Sequence, residues 1–230
     1  MTNHWIVTNA LHDVGALSQE ERCHQTVLTL NSIRIQDPHS RIYLVVGSPQ
    51  ELTGIWKRTL IQLVDVYVDV WHLPEFKQIY HATHANRQWN KSNLEAFLIW
   101  HVLKNYVHAF VKPTHRIFKI SGRYLLNKDF DVQTHVQANQ SWCMQTPQPG
   151  IWDHMQQVST RLYSVCGSLI NEYEQVILDV GQILHTQHSA GTWLDIEHAL
   201  YELTKDKQVQ YLPVLGVHGQ LGYTGDWVRD

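Results

Sequence analysis

Apolar runs alternate with apolar stripes through the first half of the chain. Ile6-Val7-Thr8 reads as a short strand, and a polar loop over 10–20 follows it. Cys23, Val27, Leu30 and Ile33 then recur near the 3.6-residue period, which predicts a helix over 19–35. Asp37-Pro38 ends it, because the residue before a proline avoids helical backbone. The continuous run Arg41-Ile42-Tyr43-Leu44-Val45-Val46-Gly47 suits a strand covered on both faces. Ser48-Pro49 predicts a helix start, with serine as cap and proline at the first helical position, carrying Leu52, Ile55, Trp56 and Leu60 inward. Residues 64–70 alternate as a third strand, and 73–89 show no clear period. A long helix is predicted over 90–107, with Leu94, Phe97, Leu98, His101 and Leu103 facing inward, and a strand over 116–120 follows it.

Strands alternating with helices in this way predict an α/β domain with a mostly parallel sheet. The second half is less regular. Strands are expected over 132–138 and 161–165, and a helix over 168–184 on Leu169, Tyr173, Val176, Ile177, Val180 and Leu184. A second helix is expected over 193–203, before a strand-like, glycine-containing tail over 209–223. No repeat, linker or low-complexity segment divides the 230 residues, so one domain is the economical expectation.

One strand carries an anomaly. Lys119 sits inside Arg116-Ile117-Phe118-Lys119-Ile120, where an unpaired ammonium costs several kcal/mol. Arg123 follows just past the strand, beside Gly122. Two cations at a glycine turn suit an anionic ligand, with a nucleotide diphosphate the leading choice. An ion pair with one of the chain's own carboxylates is the competing reading.

Charge and composition narrow the classes. The formal net charge is −3 and no basic block occurs, which argues against nonspecific nucleic-acid binding. The 16 histidines are scattered and make net charge sensitive to mild acid without suggesting a metal store. Cys23, Cys143 and Cys166 are far apart with no CxxC, as expected of free thiols in a reducing compartment. The start lacks a secretory pattern, and no apolar run is long enough to span a bilayer, so a cytoplasmic protein without an integral membrane segment is expected. No Walker or Rossmann glycine motif is present.

Four segments together carry a family resemblance. They are the first strand and its loop with Arg22-Cys23-His24-Gln25-Thr26; Asn90-Lys91-Ser92-Asn93-Leu94-Glu95-Ala96; Phe118-Lys119-Ile120-Ser121-Gly122-Arg123-Tyr124; and Asp195-Ile196-Glu197-His198-Ala199-Leu200-Tyr201, followed by Leu215-Gly216-Val217-His218-Gly219. In this order they resemble the GT-A-type glycosyltransferases, and more narrowly small members from bacteria and large DNA viruses with a K-x-S-G-R-Y motif. The resemblance implies a mostly parallel central sheet flanked by helices, with a smaller, mixed C-terminal acceptor half. It places a nucleotide-binding half at about 1–125 and an acceptor-binding half at about 126–230. It implies transfer of a sugar from a nucleotide-sugar donor to a hydroxyl of a glycan, lipid or similar acceptor. A non-catalytic nucleotide- or sugar-binding relative remains open, as does another α/β enzyme acting on a phosphorylated metabolite.

Site residues follow from the same resemblance. Thr8, Asn9 and Ala10 are expected to touch the nucleotide, and Arg22 to approach its phosphates or brace the loop. Lys119, Ser121, Gly122 and Arg123 occupy the place where many relatives carry an Asp-x-Asp motif for manganese or magnesium. A literal Asp129-Phe130-Asp131 comes later than that pattern wants and is a weak metal candidate. Without a metal, Lys119 and Arg123 are the cations to neutralise a departing diphosphate.

Glu197, ahead of Asp195, is the candidate catalytic base, since an attacking sugar hydroxyl must lose a proton. Acidic residues in a first helical turn also need no role beyond the helix dipole, and two positions apart they do not act as a pair. His218 is a candidate phosphate or metal contact. His81 and His84 form a weaker imidazole pair with no third ligand. Tyr124, Trp142 and Trp152 either line a donor or acceptor pocket or fill the core.

Overall fold

A computed structural model describes residues 2–10, 17–83, 87–150, 155–221 and 225–229. Strand β1 (His4–Ala10) is buried along nearly its whole length and lies inside the sheet. It is followed by α1 (Gln19–Gln36), β2 (Arg41–Gly47), α2 (Gly54–Leu63), β3 (Val66–Asp69), α3 (Pro74–Thr83) and α4 (Arg87–Val102). A π-helical turn, Leu103–Val107, extends α4. Then come β4 (Arg116–Ser121), β5 (Tyr124–Leu126), α5 (Val132–Gln137), β6 (Trp142–Gln145), β7 (Gln148–Pro149), β8 (Gln156–Gln157) and β9 (Leu162–Cys166). The chain closes with α6 (Ile170–Ser189), α7 (Ile196–Thr204), β10 (Val209–Leu212), β11 (Val217–Gln220) and β12 (Trp227–Arg229).

Seven strands form the main sheet in the order β10-β6-β9-β4-β1-β2-β3. β1 runs parallel to both β2 and β4, and β2 is parallel to β3. β9 is antiparallel to β4 and β6, while β10 returns parallel to β6. β5, β11 and β12 make a separate antiparallel sheet, and β7 pairs with β8.

Strand alternation divides the core. Trp5, Val7, Leu44, Val46, Phe118 and Ile120 pack on one face, with Cys23, Leu30 and Ile33 of α1. Trp5 stacks on Phe118 with ring centroids 4.3 Å apart. Ile6, Tyr43, Val45 and Ile117 face the other side, which α4, α6 and α7 cover. Lys119 shares that second face, so β4 aims its one interior ammonium at α4.

Three expected elements differ. Ser48-Pro49 opens no helix: Ser48 and Leu52 are buried, and Gly54 enters α2 with φ +71, a conformation that favours glycine. Residues 73–89 contain α3 and the start of α4; among the described side chains of α3 only Phe76 is buried, and exposed polar residues obscure its period. Residues 132–137 are helical instead of extended. Asp131 caps α5, accepting from the Gln133 amide at 2.9 Å and the Thr134 hydroxyl at 2.7 Å, and this local cap overrides the β-branched composition. Among the described residues no helix is long and apolar enough to cross a membrane.

Candidate functional site

The C-terminal ends of β1 and β4 lie side by side, with Thr8 opposite Ser121. The chain then turns sharply. The Gly122 amide donates to the Thr8 carbonyl at 2.8 Å, and the Thr26 hydroxyl of α1 donates to the Gly122 carbonyl at 2.9 Å. A Cβ at position 122 would meet Thr26 Oγ1 at 3.0 Å and the Thr8 carbonyl at 3.2 Å, so glycine permits this approach. The locked turn delivers Arg123 to a small cleft lined by Thr8, Asn9, Ala10, Arg22, Gln25 and Gly122.

Arg123 forms no ion pair among the described residues, and its Nε is buried without a hydrogen bond. Its guanidinium lies 5.2 Å from the Tyr124 ring centroid. Burial opposes its charge, but Tyr124, Glu95 and Glu197 outweigh that effect and raise its pKa. Lys91, on α4, stands beside it. The Arg123 charge and then burial lower the Lys91 pKa to about 8, with Glu95 and Glu197 offsetting only part of the effect. Two cations thus stand close enough to disfavour each other, an arrangement that an incoming anion relieves.

Lys119 is placed differently from the sequence expectation. It is 0% exposed, and its ammonium donates to Glu95 Oε1, to Ser121 Oγ at 2.9 Å and to the Thr160 carbonyl at 2.6 Å. An ammonium has three N–H donors, so none is left for a phosphate oxygen. The competing ion-pair reading therefore describes Lys119. Glu95 also accepts from Ser121 Oγ at 3.2 Å and Thr8 Oγ1 at 3.5 Å. Burial would raise its pKa, but the Lys119 charge and hydrogen bond, with Arg123 and Lys91, hold it down at about 2. Lys119→Met alone strands this carboxylate and should cost about 3–5 kcal/mol of unfolding free energy, whereas Lys119→Met with Glu95→Leu should cost less. Urea denaturation of the two variants measures the difference.

Glu197 reaches the same region from α7, whose Ile196 amide donates to Ser92 Oγ of α4 at 3.3 Å. Its Oε1 accepts from the Thr160 hydroxyl at 2.6 Å. Burial, then the charges of Asp195 and Glu95, raise its pKa to about 7. Asp195 is occupied as the α7 cap, accepting from the His198 amide at 3.0 Å and lying 2.5 Å from His198 Nδ1.

Arg22 is buried on α1 and donates to the carbonyls of Leu17 and Ala10 at 3.3 and 3.4 Å, tying the end of β1 to the residue ahead of the α1 cap. Asn9 points a buried, unpartnered Nδ2 from the end of β1. Tyr124 is 1% exposed and belongs to the core beneath Arg123 and Arg161, so it does not wall an open pocket. Trp142 is likewise core, packed edge-on to Tyr173 at 5.2 Å. Trp152 and His84 lie outside the described residues, and His81 is exposed on α3. His218 stacks on Trp227 from β11 and is not among the cleft's lining residues.

The weak metal candidates stand apart from the cleft. Asp129 pairs with Arg229 at 3.0 Å and Asp131 caps α5, with Phe130 packed edge-on against both Trp5 and Phe118. Among the described residues no group of three or more His, Cys, Asp or Glu suits a metal ion. At the β4 turn the donor set is a hydroxyl, a glycine and a guanidinium, and Lys119 occupies the nearby Glu95 carboxylate. These residues do not fit a hard divalent cation, which needs several oxygen ligands.

Sequence reasoning placed Lys91 and Glu95 in a segment of the resemblance, and Thr160 in the segment that resembles the entry to the acceptor half, but gave none of the three a role. Lys91 and Glu95 carried a further signal, being four apart in a helical segment and so on one face.

Neither a family model nor a curated protein matches the sequence. Solved structures do match. The WbbM bifunctional glycosyltransferase superposes with a TM-score of 0.52 at 8% identity, over 92% of this chain and 39% of that one. The mannosyltransferase Ktr4p from S. cerevisiae superposes with a TM-score of 0.52 at 7% identity, over 86% of this chain and 64% of that one. The chain spans less than two thirds of the length of either structure. At such identities the likeness is one of fold, and the fold is that of the GT-A glycosyltransferases: a seven-stranded, mostly parallel sheet flanked by helices.

Proposed function

We propose that the chain is a cytoplasmic glycosyltransferase of the K-x-S-G-R-Y type. It moves a sugar from a nucleotide-sugar donor to a hydroxyl of a glycan, a lipid or a similar acceptor. The observation that carries this reading is the Arg123 guanidinium, free of any ion pair among the described residues, with Lys91 beside it at the carboxyl ends of β1 and β4. Ligands of open α/β sheets bind at such strand ends. A guanidinium grips phosphate oxygens in bidentate fashion, and a fixed cation pair stabilises charge developing on a leaving diphosphate. Thr8, Asn9 and Ala10 line the nucleotide side, and Arg22 donates to the Ala10 carbonyl.

Glu197 is the base. As the acceptor oxygen bonds to the anomeric carbon, the bond from that carbon to the diphosphate oxygen breaks and its electron pair leaves with the diphosphate. The hydroxyl proton passes to Glu197, whose pKa near 7 matches such a role. In this reading the cations Arg123 and Lys91 meet the diphosphate directly.

Lys91 gives the site a pH signature. It is charged below about pH 8 and neutral above. Affinity for a nucleoside diphosphate is therefore expected to fall as pH rises from 7 to 9, by up to about tenfold per unit above the Lys91 pKa. Calorimetry at the two pH values checks this.

Ser121-Gly122-Arg123, standing in place of an acidic pair, favours a second reading, a relative that binds the donor without turning it over. Incubation with UDP-, GDP- and CMP-sugars and a panel of glycan acceptors, in EDTA, separates the two. Release of nucleotide supports the transferase. Tight binding of a donor with neither transfer nor slow hydrolysis supports the binder.

A further inference from the structure

We propose that Thr160 is a positioning residue that sets the orientation and charge state of Glu197, and that Lys119 holds Thr160 in place for it. The inference rests on the reading of Glu197 as the base, and gives the buried Lys119–Glu95 pair a purpose beyond stability.

The geometry is a continuous chain of contacts. Thr160 sits just ahead of β9, where the Ser121 amide donates to the Arg161 carbonyl at 3.1 Å. The Lys119 ammonium fixes the Thr160 backbone through its carbonyl at 2.6 Å and is itself fixed by Glu95 and Ser121. The Thr160 side chain then donates outward, to Glu197 Oε1 at 2.6 Å. Residue 160 thus uses its carbonyl to receive from the buried cation and its hydroxyl to reach the base. Oε2 of Glu197 accepts no side-chain hydrogen bond among the described residues and is left to take the acceptor's proton.

The charged groups around Glu197 explain why one hydroxyl matters. From α7 come Asp195 and His198, already bonded to each other. From α4 come Lys91 and Glu95, and from β4 and its turn Lys119 and Arg123. His188 of α6 is turned away, to Asn93 and the Leu194 carbonyl. None of these groups hydrogen-bonds the Glu197 carboxylate directly. Burial, Asp195 and Glu95 all disfavour its charged form, and the Thr160 hydroxyl opposes them by donating to that form. Lys119, itself held by Glu95 and Ser121, anchors the Thr160 backbone from which that hydroxyl projects.

Thr160→Val removes the hydroxyl at nearly constant shape, and Thr160→Ser restores it. The carboxyl titration of Glu197 is read by infrared difference spectroscopy, assigned by the band missing in Glu197→Gln. The acidic limb of the kcat/KM pH profile is followed in parallel. In Thr160→Val the infrared midpoint and the limb should both rise by about one pH unit, the effect of losing a hydrogen bond to a charged acceptor. The rate at pH 7 should fall mainly through kcat, and Thr160→Ser should return both values to wild type. An infrared midpoint unmoved in a folded Thr160→Val protein overturns the proposal. If that midpoint moves while Glu197→Gln leaves turnover intact, the Thr160–Glu197 link stands and the base assignment falls.

Discussion

Arg123→Ala is expected to remove nucleoside diphosphate binding, a loss of about a hundredfold or more. Two charge-assisted hydrogen bonds from one guanidinium supply about 3 kcal/mol or more, and each 1.4 kcal/mol is a tenfold change in Kd. Arg123→Lys keeps the charge without the fork and should fall between the two. Arg123→Ala should also lower the melting temperature modestly, because Tyr124, Glu95 and Glu197 favour the guanidinium more than burial opposes it. Arg123→Lys, which keeps the charge, should lower it less. The Arg123 charge is the leading cause of the lowered Lys91 pKa, and in Arg123→Ala that pKa should climb back toward the ordinary lysine value. Calorimetry, thermal unfolding and lysine-selective NMR titration read these three effects separately.

Glu197→Gln is the second large effect. It keeps the size of the side chain and its capacity to accept from Thr160, but it cannot take a proton. The kcat should fall by about 10²–10⁴-fold, the usual contribution of a positioned general base. Nucleoside diphosphate affinity should stay within a few-fold, because the Glu197 carboxylate is not a ligand of the diphosphate. In the wild type the acidic limb of kcat/KM should lie near pH 7, where burial and the charges of Asp195 and Glu95 place this carboxyl. Below that limb Glu197 is protonated and cannot accept the hydroxyl proton, so activity declines as pH falls. In Glu197→Gln the residual rate should show no such limb. A steady-state pH profile of both proteins measures it.

The strands at the centre of the sheet were legible because burial on both faces writes them as uninterrupted apolar runs, as in Arg41–Gly47. Elements with few buried positions of their own were not. Phe76 holds α3 against Phe97, and neither ring announces the other in sequence. For α5 the Asp131 cap decides the conformation against a strand-like composition.

The same distinction runs through the site. Arg123 could be picked out because a cation next to a glycine turn at a strand end is unusual by itself. The partner of Lys119 could not. Glu95 lies 24 residues earlier, and the pair exists only because α4 lies over the face of β4 that Lys119 shares. Lys119 was the more conspicuous cation in sequence, yet burial turned it inward and left Lys91, in an ordinary polar helix start, beside Arg123. Thr160 acquires its position from β9 pairing antiparallel to β4, a contact that no local pattern encodes.

The most direct measurement of the central claim is isothermal calorimetry of the wild-type protein with UDP, GDP and CDP at pH 7, in EDTA and again with manganese. The account expects at least one of these diphosphates to bind, with an affinity that manganese leaves unchanged and Arg123→Ala abolishes. Binding that appears only with manganese, or that survives intact in Arg123→Ala, would contradict it, as would a folded protein that binds none of the three.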